Sequence, residues 1–227
     1  MGLFDLHVHT VRGSSDSSLT PQQLIDEAER IGLTGVCLTE HGGGWSDGEF
    51  NSTFEDSDLV VIRALEVATE VGHVLVFGMH SYVSGMHKVE NLRKVVTSVG
   101  GVMVSAHPFR NFFNKPPYNV NLLFNKADKL PQSPEEASAH PLFGLVDDIE
   151  VANGSNTDEE NIFTREVASV LGYRGTGGSD VHSTHGLGKC VTDFKGDIRT
   201  EADLIEALRE KAFSPAQGLH VGHIEPF

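Results

Sequence analysis

Histidines and carboxylates recur along this chain where short apolar runs end. The run VCL leads into Glu40 and His41, VMVSA leads into His107, and a glycine-rich run leads into Asp180. In an α/β barrel the carboxyl ends of the strands meet at one face, and the catalytic side chains come from that face. One His-x-His pair means little in a chain with 12 histidines, but an ordered series at successive strand ends is informative. The pattern predicts an α/β fold with its chemistry collected at one end of the sheet.

Strand-like and helix-like segments alternate along the chain. The first unit is LFDLHVH, followed by Thr20 and Pro21 as helix start signals and by apolar residues at helical spacing up to Gly32. Strands that alternate with helices imply parallel pairing through right-handed crossovers. Six or seven such units favour a barrel over an open sheet. With no linker-like composition break, we expect one domain over residues 1–227.

The segment 109–145 interrupts this alternation. It contains five prolines and the aromatic residues Phe112, Phe113, Tyr118 and Phe124. Long irregular insertions are often either active-site lids or surface coverings. Because the segment directly follows His107, we expect a lid-like insertion, with ordinary aromatic packing as the alternative.

Composition limits the class of protein. A formal net charge of −15 argues against an extended surface for nucleic acid, although a polyanion could still bind at a local metal site. Cys37 and Cys190 stand in strand-like contexts and are expected to be buried thiols. No signal-like or membrane-spanning pattern is visible, so we expect a cytoplasmic protein with no membrane partner.

The residue types predict a catalytic metal site. Imidazole nitrogens and carboxylate oxygens in mixed sets suit zinc, manganese and iron, and the absence of cysteine from the series argues against a structural zinc site. Residues two apart on a strand point to the same face. His7 and His9 can therefore both enter the site while Leu6 and Val8 pack on the opposite side.

Seven segments in order resemble the PHP (polymerase and histidinol phosphatase) family of metal-dependent phosphoesterases. They are DLHVHT, the following Ser-Ser-Asp, TEH, LE…GHVLVFG, AHPFR, IEVANG and GGSDVH. The resemblance extends from Leu3 to about Phe194. It implies a distorted TIM-like (βα)7 barrel of the PHP type, with two or three divalent metal ions (Zn, Mn or Fe) at the strand ends.

The resemblance also implies a ligand set. His7, His9, Glu66 and Asp180 would hold the first metal. Glu66, as a bridging carboxylate, would hold the second metal together with His73 and His107. Asp16, His41 and His182 would hold the third. Arg110 in HPFR is our candidate catalytic residue, because a planar guanidinium can bind phosphate in a bidentate fork.

We expect this site to hydrolyse a small phosphorylated substrate, with phosphomonoesters favoured, through a metal-bridging hydroxide. No Ser, Cys or Asp nucleophile is then needed. One alternative is a nucleotide or oligonucleotide phosphodiesterase or exonuclease. Another is a non-catalytic PHP module in which the metals only hold the barrel or a partner domain together. An amidohydrolase is also chemically open, because a metal-bound hydroxide can attack carbon.

Some residue roles stay open at this stage. His80 is an alternative to His73 as a ligand, and Asp16 can be read as a turn residue instead. Glu40 stands where the family usually has Asp and is expected at most to support a ligand. Asn153 either ends a strand or contacts substrate. His220 is given no functional role.

Overall fold

The computed structural model describes residues 2–125, 127 and 129–227, which form a mixed α/β fold around a curled sheet. The strands of the described residues are Gly2–Val8 (β1), Gly35–Glu40 (β2), Val60–Thr69 (β3), Gly72–Phe77 (β4), Val102–Ser105 (β5), Asp148–Asn153 (β6), Thr176–Gly178 (β7), Cys190–Phe194 (β8), Phe213–Gln217 (β9) and Glu225–Pro226 (β10). The α-helices are Pro21–Ile31 (α1), Asp47–Phe54 (α2), Val89–Ser98 (α3), Pro134–Ser138 (α4), Asp158–Leu171 (α5) and Glu201–Arg209 (α6). Short 3-10 helices cover Pro141–Gly144 and Leu219–Val221.

The sheet mixes parallel and antiparallel pairs. Its strand order is β10-β9-β8-β1-β2-β3-β4-β5-β6-β7. The pairs β1–β2, β2–β3, β5–β6 and β6–β7 are parallel, as the alternation predicts. The pairs β3–β4 and β4–β5 are antiparallel, so parallel pairing throughout was wrong. Only Glu70 and Val71 connect β3 to β4, which makes a hairpin and leaves no room for a crossover helix.

This hairpin places a histidine at the beginning of a strand on the same side as the other site residues. His73 is the second residue of β4 and pairs with Ala68 near the end of β3. Because β4 runs in the opposite direction, its first residues lie where β1, β2 and β3 end. The rule that ligand-type residues follow strands therefore fails for His73, although its position relative to the site is the expected one.

The chain after β7 returns to β1. The backbone N–H of Asp180 donates to the carbonyl of His7 at 2.8 Å, and that of His9 donates to Val181 at 3.1 Å. Gly178 permits this approach, because a Cβ there would lie 2.5 Å from the Cβ of His7 and 2.8 Å from Oε1 of Glu150. The two ends of the PHP-like pattern, DLHVHT and GGSDVH, are thus neighbours in the fold.

Local signals in the sequence predict α1 correctly. The side chain of Thr20 accepts from the N–H of Gln23, Pro21 opens the helix, and Gly32 ends it in the left-handed conformation with φ 74°. On the strand before it, Leu6 and Val8 are buried in apolar clusters, as expected for residues opposite His7 and His9. Helix α2 was not predicted.

The segment 109–145 divides into a packed base and a more exposed outer part. Phe109 and Phe112 pack into the main apolar cluster, together with Leu123 and Phe143. Tyr118, in contrast, is 76% exposed. Lys126 and Asp128 lie outside the described residues. Aromatic packing therefore explains the base of the segment, and only its outer part is available to line a site.

Both cysteines are buried thiols, as expected. Cys37 and Cys190 are both free and buried, and burial raises the pKa of the Cys190 thiol to about 12. Among the described residues, no helix combines the length and apolar character needed to cross a membrane.

Candidate metal centre

The carboxylate of Glu66 lies at the centre of the site and faces two sets of imidazoles. Its Oε2 is 3.3 Å from Nε2 of His7 and 3.2 Å from Nε2 of His9. Its Oε1 is 2.8 Å from Nδ1 of His73 and 2.9 Å from Nε2 of His107. Glu66 is only 2% exposed. A carboxylate whose two oxygens each face a different pair of histidines has the geometry of a bridge between two cations.

The inner group comprises His7, His9, Glu66 and Asp180, all of them buried. The imidazole nitrogens of the two histidines lie 3.2 to 3.4 Å from one oxygen each of Glu66 and Asp180. Donor atoms bound to one tetrahedral ion at about 2.1 Å are separated by about 3.4 Å. Among the described residues, Nε2 of His7 and Nε2 of His9 have no hydrogen-bond partner. Two unpaired buried nitrogens facing two carboxylates fit a divalent cation.

The outer group lies on the solvent side. Nε2 of His182 is 3.3 Å from Oδ2 of Asp16, and Nε2 of His41 is 3.6 Å from the same oxygen. Ring nitrogens of His9, His41 and His182 also converge closely enough to share an ion. The structure therefore brings Asp16, His41 and His182 together as expected, with His9 lying between the inner and outer groups.

Glu150 supports the inner group and was missed in the sequence analysis. Its Oε1 lies 2.9 Å from Nδ1 of His7, and its Oε2 accepts from the backbone N–H of His107 at 2.9 Å. A carboxylate accepts the Nδ1 proton, which leaves Nε2 of His7 as the lone-pair nitrogen that a metal needs. Glu150 stands in the PHP-like segment IEVANG, but Asp148 in the same strand is an equally buried carboxylate, so no local signal singled out Glu150.

A second supporting chain orients His9. Nδ1 of His9 is 3.0 Å from Oγ of Ser14, and that hydroxyl donates to Oε2 of Glu40 at 2.7 Å. Indole Nε1 of Trp45 also donates to Glu40, at 3.2 Å. Glu40 thus reaches the centre only through Ser14, which agrees with the supporting role expected for it.

The electrostatics of the site depend on close opposite charges. Burial disfavours the charged form of His7, but Glu150, Asp180 and Glu66 outweigh it and hold the pKa of His7 well above its ordinary value. Burial likewise opposes ionisation of Glu66 and Asp180, yet neighbouring histidines hold both carboxyl pKa values well below the usual range. The carboxylates are therefore ionised at neutral pH and require positive charge nearby. Divalent cations would supply this positive charge, and they would bind both the carboxylates and the neutral imidazoles.

Two residues of the site adopt unusual backbone conformations. His107 has φ 30° and Asp180 has φ 53°, in the left-handed region that costs a non-glycine residue about 1–3 kcal/mol. Each stands at the end of a strand, where the chain turns to direct a side chain inward. Strain at two candidate ligands is typical of a functional site, where the surrounding contacts hold the geometry in place.

Arg110 lies beside the inner group and is anchored along one edge. Its Nη2 donates to Asp180 at 2.5 Å and to Oδ1 of Asn153 at 2.9 Å, and its Nε donates to Oδ1 of Asn156 at 3.0 Å. Nη1 forms no hydrogen bond to a described residue. Asn153 ends β6 and accepts from the backbone N–H of Ser155, as the turn interpretation predicted, and it also contacts Arg110, which neither interpretation predicted.

His80 is separated from the metal-ligand candidates. Its Nε2 is 2.7 Å from Oε1 of Glu201 at the start of α6, whereas His73 contacts Glu66. Of the two histidines that the sequence left open, the structure places His73 in the centre.

A pocket adjoins this centre on the side of the 109–145 segment. His73, His107 and Arg110 line one wall, and Val120, Asn121, Leu122 and Leu123 line another. Residues 120–123 of the segment thus share a pocket with the second set of imidazoles.

Comparison with known proteins agrees with this geometry. The sequence model of the PHP domain matches residues 5–159, and a model described as PHP-associated matches residues 158–213. The chain belongs to the PHP domain family. Error-prone DNA polymerases of Mycobacterium bovis and Mycobacterium tuberculosis are 30% identical to it over 64 residues. That match covers 28% of this chain and only 6% of each polymerase.

Several solved structures share the fold of this PHP chain. PsfC from Pseudomonas syringae has a TM-score of 0.62 at 19% identity, covering 90% of this chain and 87% of its own. A protein from Bifidobacterium adolescentis, proposed to be a metal-dependent phosphoesterase, has a TM-score of 0.58 at 18% identity, with 90% and 95% covered. An amidohydrolase from Chromobacterium violaceum, solved with bound sulfate and no metal, has a TM-score of 0.58 at 16% identity, with 90% and 96% covered.

Proposed function

We propose that this PHP protein is a metal-dependent phosphoesterase that hydrolyses a small phosphorylated substrate, with phosphomonoesters preferred. The observation that carries the proposal is the buried Glu66 carboxylate, whose two oxygens face two separate sets of imidazoles. Phosphoryl transfer to water is a reaction that paired cations promote. The family relationship and the proposed activity of the Bifidobacterium adolescentis relative support the same reaction class.

The metal ligands follow from the three groups. We assign His7, His9, Glu66 and Asp180 to the first ion, and Glu66, His73 and His107 to the second. The third ion would be held by Asp16, His41 and His182, with His9 at its inner edge. Zinc, manganese or iron at these positions would lower the pKa of a coordinated water toward 7 and neutralise the charge of the phosphate oxygens.

Arg110 is the residue assigned to the substrate phosphate. The contacts to Asn153, Asn156 and Asp180 fix its Nε and Nη2 side, which leaves Nη1 to donate to an oxygen in the adjoining pocket. The bidentate fork expected from the sequence is therefore replaced by a single donor in this proposal. A guanidinium positioned in this way pays little conformational entropy when an anion binds. The same contact to Asp180 gives Arg110 a second task, the orientation of a proposed ligand.

The pocket beside Arg110 would receive the organic part of the substrate. Val120, Leu122 and Leu123 supply its apolar wall, and Asn121 is held by its Nδ2, which donates to the carbonyls of Pro108 and Arg110 at 2.8 and 2.9 Å. Apolar lining with a few fixed polar groups is typical of small-molecule sites. We infer that this outer part of the 109–145 segment acts as the lid.

Finer points of organisation belong to the same proposal. The hydrogen bonds from the chain after β7 back to β1 support a distorted (βα)7 barrel. One sheet contains strands from both ends of the chain, which supports a single domain over residues 1–227. Buried free thiols and the net charge of −15 favour a cytoplasmic protein whose partner is a small substrate, with no extended nucleic-acid surface and no membrane.

The test is a substrate panel assayed with zinc, manganese and iron. It should contain phosphomonoesters, phosphodiesters, nucleotides, short oligonucleotides and carboxamides. We expect metal-dependent phosphate release that Glu66→Gln abolishes. Glu206→Gln makes the same chemical change on the exposed face of α6 and should keep full activity. Turnover confined to oligonucleotides or carboxamides, or unaffected by Glu66→Gln, would refute the proposal.

A further inference from the structure

A second pocket adjoins the metal centre beside Asp180 and His182. It shares Asp180 and His182 with the proposed ligand set, so the pocket borders directly on the centre. Its other titratable side chains are all basic, namely Lys189, His185 and His220. No function was expected for His220, and none of these three residues takes part in the proposed phosphoesterase reaction.

The charge of this pocket differs from that of the chain as a whole. The protein has 32 acidic and 17 strongly basic residues, yet the acidic side chain that lines this pocket is Asp180 alone. Asp180 already pairs with Arg110 at 2.5 Å and with the inner histidines. The pocket therefore offers one ammonium and two imidazoles, and Asp180 is the one carboxylate among its lining residues.

The three basic residues line one pocket, and Lys189 is anchored in it. Nζ of Lys189 donates to the carbonyl of Gly154, which fixes the ammonium at the pocket wall. Burial and the nearby charges of Lys189 and His185 lower the pKa of His220. Nδ1 of His220 is buried without a hydrogen-bond partner among the described residues. The hydroxyl groups of Ser155 and Ser183 add neutral donors to the same pocket.

The pocket beside Arg110 and the pocket beside His182 differ in the polarity of their lining side chains. The pocket beside Arg110 is bounded by Val120, Leu122 and Leu123, whereas the one beside His182 is bounded by basic and hydroxyl side chains. Burial in the first pocket stabilises apolar atoms of a ligand, whereas charge-assisted hydrogen bonds in the second pocket stabilise an anionic group.

We propose that the pocket lined by Lys189, His185 and His220 binds a second anionic group of the substrate, either a phosphate or a carboxylate. The phosphate ester of the same substrate would lie at the metal centre. The inference rests on the proposed phosphoesterase function and narrows its substrate class to phosphomonoesters with a second negative group. Lys189 is the main contact, with His185 and His220 as flanking donors.

The experiment compares two matched series of ligands. Alkyl phosphates with two to five carbons and ω-carboxyalkyl phosphates of the same lengths differ only in a terminal carboxylate. Their kcat/KM values, and their Ki values against an aryl phosphate, are measured on the metal-loaded protein. At one chain length we expect the carboxylate to improve kcat/KM or Ki by about tenfold or more, as expected for a charge-assisted hydrogen bond.

Three variants test whether the pocket causes that preference. Lys189→Gln should remove most of the advantage of the carboxylate and leave the alkyl series unchanged. Lys195→Gln, which removes the same charge from an exposed lysine outside the pocket, should behave as the parent. His185→Gln, at an exposed position, should reduce the advantage in part and serves if Lys189→Gln does not fold.

The outcomes separate the two proposals. If alkyl phosphates are hydrolysed but no carboxylate series member is preferred, the pocket inference is wrong and the phosphoesterase function stands. An advantage that survives in both Lys189→Gln and His185→Gln also overturns the inference. If neither series binds to the protein or is hydrolysed by it, whichever metal is loaded, the phosphoesterase proposal fails as well.

Discussion

The inner and outer groups of the metal centre differ sharply in their environment. Side chains of the inner group, such as His7 and Asp180, are at most 4% exposed. In the outer group His41 is 35% exposed, His182 is 31% exposed and Asp16 is 58% exposed. The inner side chains come from strands or the residues that follow them directly, and Glu150 and Ser14 hold the far nitrogens of His7 and His9.

This difference teaches where the protein has preorganised its site. Inner ligands already hold their positions, so a metal there need not offset the entropy of ordering them. Outer ligands lie beside solvent, and Asp16 belongs to an exposed loop. We therefore expect tight binding of metal at the inner group and weaker, exchangeable binding at the outer one.

Replacing Glu66 with Gln should have the largest effect, because an amide removes the negative bridge that both sets of imidazoles face. We expect activity to fall at least about 100-fold and the inner metals to be lost. Elemental analysis and steady-state rates of the folded variant measure both effects. Retention of both metals with near-parental activity would show that Glu66 is no bridge.

Replacing Glu150 with Gln should weaken the inner group without removing a proposed ligand. Loss of the carboxylate that accepts from His7 should lower metal affinity by about 10–100-fold. Competition with a chelator gives the affinity, and Glu159→Gln, an exposed change of the same chemistry on α5, is the control. An unchanged affinity would mean that His7 is oriented by other contacts.

Replacing Arg110 with Lys should have an intermediate effect, although the charge is kept. One ammonium cannot contact Asp180, Asn153, Asn156 and a phosphate together, and we expect a loss of about 1–3 kcal/mol in kcat/KM. Measuring metal affinity alongside kinetics separates the two tasks of Arg110. A fall in metal affinity alone would show that Arg110 acts by orienting Asp180. Unchanged kinetics would show that Arg110 has no role in the site.

Replacing Asp16 with Asn should have the smallest effect of the series. The side chain is more than half exposed and reaches His182 and His41 only at 3.3 and 3.6 Å. We expect a loss of about tenfold or less, partly restored by excess metal, because the outer ion exchanges with solvent. A loss as large as that of Glu66→Gln would reverse our ranking of the two groups.

Much of this site could be predicted from sequence because its members stand in ordered motifs. The strand that carries His7 and His9 has period-two spacing, and the glycines before Asp180 indicate a close backbone approach. Such signals depend on neighbours in the chain. The candidate ligands could therefore be named from the sequence, and the structure brings most of them around Glu66, with Asp16 beside His41 and His182.

What escaped prediction depends on contacts between distant residues. Glu150 lies 143 residues from His7, and no local pattern distinguishes it from any other strand carboxylate. The antiparallel course of β4 follows from a two-residue connection that an assumed helix-strand alternation obscured. The division of 109–145 into packed aromatics and a pocket wall is set by the core surfaces they meet.

The most direct test of the account is the metal content of the protein as each group is perturbed. Parent, Asp16→Asn and Glu66→Gln proteins, prepared without chelator, are dialysed against graded chelator and analysed for zinc, manganese and iron. The account predicts two or three ions in the parent, with the outer ion lost first, two ions retained in Asp16→Asn, and at most one in Glu66→Gln. A parent that binds no more than one ion at saturation, with no metal-dependent turnover, would contradict it.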